Sequence, residues 1–158
     1  YKKNIHIMVA GTSSFKIHKI RKSLKMISTL CLNEDEALKL SNKKTIHKSI
    51  NYIMTNNPNI ALVITRGSKP AIMVLNKKKY LGNIPKIKIK NENGAGDAFT
   101  AMFFLCIGAN FSPNITLSLS ITLGCLKAMD YRYKNMIEFN KKFQSILRNI
   151  VVKKYEKK

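Results

Sequence analysis

The residues best suited to chemistry lie in one short stretch, Asn91-Glu92-Asn93-Gly94-Ala95-Gly96-Asp97-Ala98-Phe99. It joins a basic, strand-like run to the most apolar helical segment of the chain, so it reads as a helix N-terminus. Gly94 and Gly96 lack the side chains that would hold a ligand off the backbone, and they permit unusual φ/ψ. Successive N–H groups can therefore point at one anion while the helix dipole adds positive potential. Phosphate suits such a nest best. Asp97 is then out of place, because a carboxylate beside a phosphate cradle repels the ligand unless it takes a proton from an attacking hydroxyl. An anion cradle with an adjacent base is the minimal kit for phosphoryl transfer to an alcohol. The simpler alternative is that Asp97 caps or charges the first helical turn and the glycines form only a tight loop.

The run Asn93-Gly94-Ala95-Gly96-Asp97-Ala98-Phe99-Thr100-Ala101 resembles the Gly-Ala-Gly-Asp signature of the ribokinase-like (PfkB) carbohydrate kinase family. The resemblance implies that Gly94, Ala95 and Gly96 form the anion hole for the transferring phosphoryl group and that Asp97 is the catalytic base. Upstream the chain departs from the pattern: Asn91 and Glu92 stand where the family usually has an Asp-Thr pair, at a monovalent-cation site near the loop.

The elements that must position this loop alternate between strands and helices. His6 to Ala10 is a short apolar run that reads as a buried strand, and Ser13-Ser14 then caps a helix with apolar positions at Phe15, Ile17, Ile20 and Leu24. Ile27 to Leu32 is the next strand. Asn33 follows as an N-cap, with Glu34, Asp35 and Glu36 complementing the dipole of a first helical turn. That explanation suffices structurally. The pair Asn33 and Glu36 also resembles the family's Asn-x-x-Glu motif, which implies that Asn33 and Glu36 help to order Mg²⁺, through water, and the nucleotide phosphates; a cation that keeps most of its waters needs only one or two oxygen ligands.

Thr45 to Asn56 has helical spacing, and Ile60 to Thr65 is the clearest buried strand. It runs through Arg66-Gly67-Ser68-Lys69-Pro70 into a second apolar run, which predicts a turn between neighbouring strands. The family's Thr-x-Gly-x-x-Gly turn lies against the nucleotide. Thr65 and Gly67 match it, whereas Pro70 replaces the last glycine and removes an N–H donor. Lys77 to Lys90 alternates apolar and basic residues, the period of a half-exposed strand leading to the Gly-rich loop. Phe99 to Ile107 is the helix after it, closed by Gly108-Ala109-Asn110. Ser112-Pro113 opens another, with Leu117, Ile121, Gly124, Cys125 and Met129 on one face. The resemblance implies that the 123–129 region lines the base pocket. A last helix from Asn135 carries Ile137, Phe139, Phe143, Ile146, Leu147 and Ile150, and residues 153–158 form a basic tail expected to be solvated or frayed.

Composition narrows the partners. The formal charge is +21, yet only four of the 29 basic residues are arginine (Arg21, Arg66, Arg132, Arg148). Arginine is the residue that reads bases and forks onto phosphates. The lysines are scattered, with no aromatic-interleaved patch, so specific nucleic-acid binding is not indicated, although generic attraction to polyanions is. Five of the eight acids fall in two short segments, Glu34 to Glu36 and Glu92 to Asp97. Cys31, Cys106 and Cys125 suggest neither a disulfide framework nor a zinc site and read as small core residues in a reducing compartment, taken as the cytoplasm. The longest uncharged run, Ala98 to Leu126, is interrupted at residues 110–114, so its apolar part is too short to span a bilayer.

The βα alternation predicts a three-layer α/β/α domain with a mainly parallel sheet and ligand at the carboxyl ends of the strands. The resemblance covers residues 1–152 and corresponds to the family's carboxyl-terminal half, lacking the amino-terminal half with most of the acceptor pocket and the lid; a start at Tyr1 fits a fragment or processed product. It implies an ATP- and Mg²⁺-dependent kinase for a small sugar or nucleoside. Ser14-Phe15-Lys16, Thr29 to Ala37 and Gly124-Cys125 before Ala128-Met129 look most like the pseudouridine kinase branch, ahead of ribose, another nucleoside or a fructose phosphate. Two alternatives stay open: a truncated or degenerate kinase that binds nucleotide without turnover, and a lysine-rich polyanion-binding module. Homodimerisation is also left open.

Overall fold

The computed structural model describes residues 5–130 and 133–155. Six strands lie in chain order across one mixed sheet: β1 (Met8–Ala10), β2 (Thr29–Asn33), β3 (Ala61–Arg66), β4 (Lys69–Leu75), β5 (Lys78–Gly82) and β6 (Val152–Lys154). The α/β alternation expected from the sequence is the one observed. The chain divides into two compact units, one of Tyr1–Arg66 with Ile72–Lys79 and one of Gly67–Ala71 with Tyr80–Lys158.

In the first unit β1, β2 and β3 are parallel, with Val9 opposite Leu30 and Leu30 opposite Leu62. Parallel neighbours need a crossover, and the chain supplies one each time: a 3-10 helix (Ile17–Met26) before β2, then α1 (Glu34–Ser41) and α2 (Ile46–Asn56) before β3. Consecutive apolar residues along β2 and β3 are buried, as expected of strands covered on both faces. Leu30, Leu62, Val63 and Ile64 are joined in the core by Leu24, Leu40 and Ile53. Between β4 and β5 the two turn residues Asn76 and Lys77 both take positive φ (51° and 61°), the mirror-image turn whose twist matches a hairpin.

The helix expected after Ser13-Ser14 differs from its reading. It is a 3-10 helix that begins at Ile17, its N-cap is Lys16, and no side chain caps it; the Ser13 carbonyl instead accepts the N–H groups of Lys16 and Ile17. Phe15, read as part of the apolar face, is 87% exposed. The distant anchor is Arg21, whose guanidinium donates to the carbonyls of Leu40 (2.5 Å) and Lys39 (2.7 Å) at the end of α1 and satisfies groups that a helix C-terminus leaves open.

The second unit is built on α3 (Ala95–Gly108), α4 (Pro113–Ala128) and α5 (Met136–Leu147), with Tyr80 to Gly82 of β5 antiparallel to β6. Phe99, Phe103 and Cys106 of α3 and Leu117, Ile121, Cys125 and Leu126 of α4 are buried. The buried hydroxyls of α4 are satisfied locally: Thr116 Oγ1 donates to the Phe111 carbonyl (3.3 Å) and Ser120 Oγ to the Thr116 carbonyl (2.7 Å). Residues 86–90, read from their alternation as a strand, are not one; Pro85 supplies no donor beside them, and the Lys90 and Asn91 N–H groups both go to the Ala128 carbonyl (2.9 and 3.1 Å). Lys153 and Lys154, assigned by sequence to the tail, belong to β6, while 156–158 lie outside the described residues. Among the described residues no helix is long and apolar enough to cross a membrane.

Candidate active site

Parallel strands bring their carboxyl ends to one edge, and three candidate residues of the first unit meet there. Asn33 closes β2 and stands opposite Thr65 of β3 in the register, while Gly11 follows β1 and donates its N–H to the Cys31 carbonyl (2.8 Å). Asn33 and Glu36 form a complete capping box. Asn33 Oδ1 accepts the Glu36 N–H and Glu36 Oε2 accepts the Asn33 N–H, each at 2.8 Å. The box fixes the Glu36 side chain, which is only 3% exposed.

Gly11 was not singled out by the sequence reading, yet it makes the box fit. A Cβ added there would stand 2.2 Å from Glu36 Oε2 and 2.5 Å from its Cδ, so any other residue would push the carboxylate aside. The signal available in sequence was a glycine directly after an apolar strand, which marks a close approach without saying to what. Arg66, at the end of β3, is engaged: its Nε and Nη2 lie 3.2 and 3.1 Å from Glu34 Oε1.

Gly67 follows β3 with φ 61° and opens a two-residue turn into β4. Nothing lies within 4 Å of the position a Cβ would take, so the backbone at this turn is open to a ligand. Pro70 sits in β4 as its second residue, where it offers no N–H.

In the second unit the Gly-rich loop is a helix N-terminus, as its sequence predicts. Gly94 is the N-cap of α3 with φ 77°, a conformation that costs a residue with a Cβ, and it offers no side chain to satisfy the first turn. The Ala95 N–H turns back to the Glu92 carbonyl (3.1 Å) and the Asn93 N–H goes to Asn91 Oδ1 (3.0 Å). The N–H groups of Gly96 and Asp97 find no partner among the described residues and stand open at the positive end of the helix. Asp97 is exposed, and its carboxylate makes no hydrogen bond or ion pair among those residues. A capping bond from Asp97 is absent among the described residues, while its charge in the first turn of α3 still complements the helix dipole.

Helix α4 holds this loop in place. A Cβ on Gly124 would come within 3.3 Å of both the Ala95 carbonyl oxygen and Phe99 Cβ, so the absence of a side chain lets α4 close on the first turn of α3. One turn on, Lys127 lies against Gly94: its Cε is 3.1 Å from the place a Cβ would occupy. Lys127 falls in the 123–129 region assigned to the base pocket, but no motif marks it among 25 lysines. Cys125 on the same helix is core; burial pushes its thiol up to about 11, which keeps it protonated and inert at neutral pH.

The donors present fit a phosphate group better than a directly bound metal. Open backbone N–H groups and a lysine at a helix N-terminus suit phosphate oxygens. Among the described residues no three His, Cys, Asp or Glu side chains gather where they could hold a metal ion. Asn33 and Glu36 are committed to each other's backbone N–H groups and form no closed ligand set, so a Mg²⁺ ordered by them would have to keep most of its waters.

Residues 3–129 match the sequence profile of the pfkB family carbohydrate kinases. No curated protein sequence matches the chain significantly. Many solved structures resemble it, three of them as follows. A sugar kinase candidate from Clostridium perfringens has a TM-score of 0.82 and 16% identity over 99% of this chain and 52% of that one. Phosphofructokinase-2 from Escherichia coli, in complex with substrates and products, has a TM-score of 0.75 and 18% identity over 92% of this chain and 48% of its own. A ribokinase II candidate from Escherichia coli, in complex with ATP and Mg²⁺, has a TM-score of 0.72 and 16% identity over 89% and 49%. The likeness shows a ribokinase-like α/β fold, and the chain spans about half the length of these structures.

Proposed function

Because this chain belongs to the pfkB family of carbohydrate kinases, we propose that it carries the phosphate cradle and the base of an ATP-dependent kinase acting on a hydroxyl of a sugar or nucleoside. The observation that carries the reading is Asp97: a carboxylate with no hydrogen bond or ion pair among the described residues, set in the first turn of a helix whose Gly96 and Asp97 N–H groups find no partner among those residues either. In this role the Gly94 to Gly96 backbone binds the oxygens of the transferring phosphoryl group and stabilises their charge. Asp97 accepts the proton of the acceptor hydroxyl as its oxygen bonds to the γ-phosphorus, while the bond from that phosphorus to the bridging oxygen breaks and ADP leaves. Asn33, Thr65 and Gly67 supply nucleotide contacts. Mg²⁺, when bound, neutralises phosphate charge, and Asn33 and Glu36 orient its water shell.

Pseudouridine is the acceptor we place first, on the strength of Ser14-Phe15-Lys16, the segment from Thr29 to Ala37, and Gly124-Cys125 with Ala128-Met129. Positioning and water exclusion supply much of the rate in phosphoryl transfer, so little turnover is expected of these 158 residues alone. ADP release, measured across nucleosides and sugars on this chain and on any longer form its coding frame provides, tests both points. The expected result is acceptor-dependent release by the longer form, highest with pseudouridine. A second reading, nucleotide binding without turnover, is favoured by Asn91, which stands in place of the family's acid with its Oδ1 accepting the Asn93 N–H and its own N–H going to the Ala128 carbonyl; binding of MgATP with no acceptor-dependent release would select it.

A further expectation separates the two roles of Glu36. Gln closes a capping box as Glu does, so Glu36→Gln should leave Tm nearly unchanged while raising the Mg²⁺ concentration for half-maximal activity. Gly11→Ala should raise it as well, by displacing the carboxylate from the Asn33 N–H. Magnesium titrations paired with thermal melts check this; a large loss of Tm with unchanged magnesium dependence would reduce Glu36 to a cap.

A further inference from the structure

We propose that Lys127 is a phosphate-binding residue of this site, its ammonium completing the cradle from the side of α4; the proposal rests on the kinase reading above. Gly124 and Lys127 are three residues apart on α4 and so lie on one face of that helix. Gly124 meets the Ala95 carbonyl and Phe99, while the Lys127 stem passes over Gly94 with Cε 3.1 Å from the position of a Cβ. The same turn of α4 receives the Lys90 and Asn91 N–H groups on the Ala128 carbonyl, which ties the incoming chain to the helix that carries the lysine. The ammonium is one bond beyond Cε, exposed, and without an ion pair among the described residues. It therefore stands beside the positive end of α3, where an anion placed between them is attracted by both. The rival account is that Lys127, in the last turn of α4, merely complements the negative end of its own helix.

Direct binding separates the two. Affinities for MgATP, ADP and adenosine are measured by calorimetry for the wild-type protein, Lys127→Met and Lys127→Arg, with thermal melts of each. If the lysine binds phosphate, Lys127→Met weakens MgATP by about tenfold or more, as loss of a charge-assisted bond does, leaves adenosine unchanged and flattens the salt dependence of MgATP binding. Lys127→Arg keeps most of the affinity. An unchanged MgATP affinity in Lys127→Met, with or without a lower Tm, overturns the proposal and leaves the kinase reading standing. An equal loss for MgATP and adenosine also overturns it, by assigning the lysine to the base pocket. A wild-type protein that binds no MgATP would overturn both together.

Discussion

In a longer form of the chain that turns over, Asp97→Asn is expected to lower kcat by about two to four orders of magnitude while MgATP still binds, because Asn keeps the size of the side chain and cannot take a proton. The nucleotide affinity should hold or rise slightly, since a negative charge beside the cradle has been removed. Tm should fall only a little: Asp97 makes no hydrogen bond or ion pair among the described residues, so the fold loses only its interaction with the helix dipole, about 0.3–1 kcal/mol. Steady-state kinetics with calorimetry on the same preparation reads both parts. A change in turnover below about threefold would return Asp97 to a surface charge on the first turn of α3 and with it remove the observation on which the kinase reading depends.

The opposite pattern is expected of Phe103→Ala. Phe103 is fully buried in α3, its ring 6.4 Å from that of Phe99 and inclined 22° to it, and Phe99 in turn meets Gly124 beneath the Gly-rich loop. Truncating a buried phenylalanine leaves a cavity and costs about 3–5 kcal/mol, which for a chain of this size lowers Tm by roughly 10 °C or more. Urea unfolding gives the loss directly if the slope with denaturant is unchanged. Folded Phe103→Ala protein at low temperature should keep its proton-transfer chemistry better than its stability, since no reacting group is touched. A loss below about 1 kcal/mol would show that α3 is not anchored through this ring. Taken together, the two variants separate the base from its support.

Much of the site was legible because its signals are local. Two glycines followed by an acid and an apolar run locate the start of α3, since the φ of 77° at Gly94 and the open N–H groups are properties of a single turn. Asn33 and Glu36 are three residues apart, the spacing at which cap and third residue reach each other's backbone, and both bonds are formed. The buried strands β2 and β3 show as apolar runs because strands covered on both faces admit little else.

What the sequence could not determine depends on partners far along the chain. Alternation over residues 86–90 is not sufficient for a strand; without a neighbouring ladder the segment instead ends with the Lys90 and Asn91 N–H groups on the Ala128 carbonyl. Conversely, β6 has three residues and two exposed lysines, and only pairing with β5 makes it a strand. Local spacing likewise gave a helix near Ile17 but not its tighter 3-10 form or its tie through Arg21 to the end of α1. Gly11 and Lys127 lie 25 and 33 residues from the residues they pack against, Glu36 and Gly94. Caps, turns and periodicity act within a few residues of the chain, whereas the space left by a missing Cβ acquires its meaning only when packing brings another side chain to it.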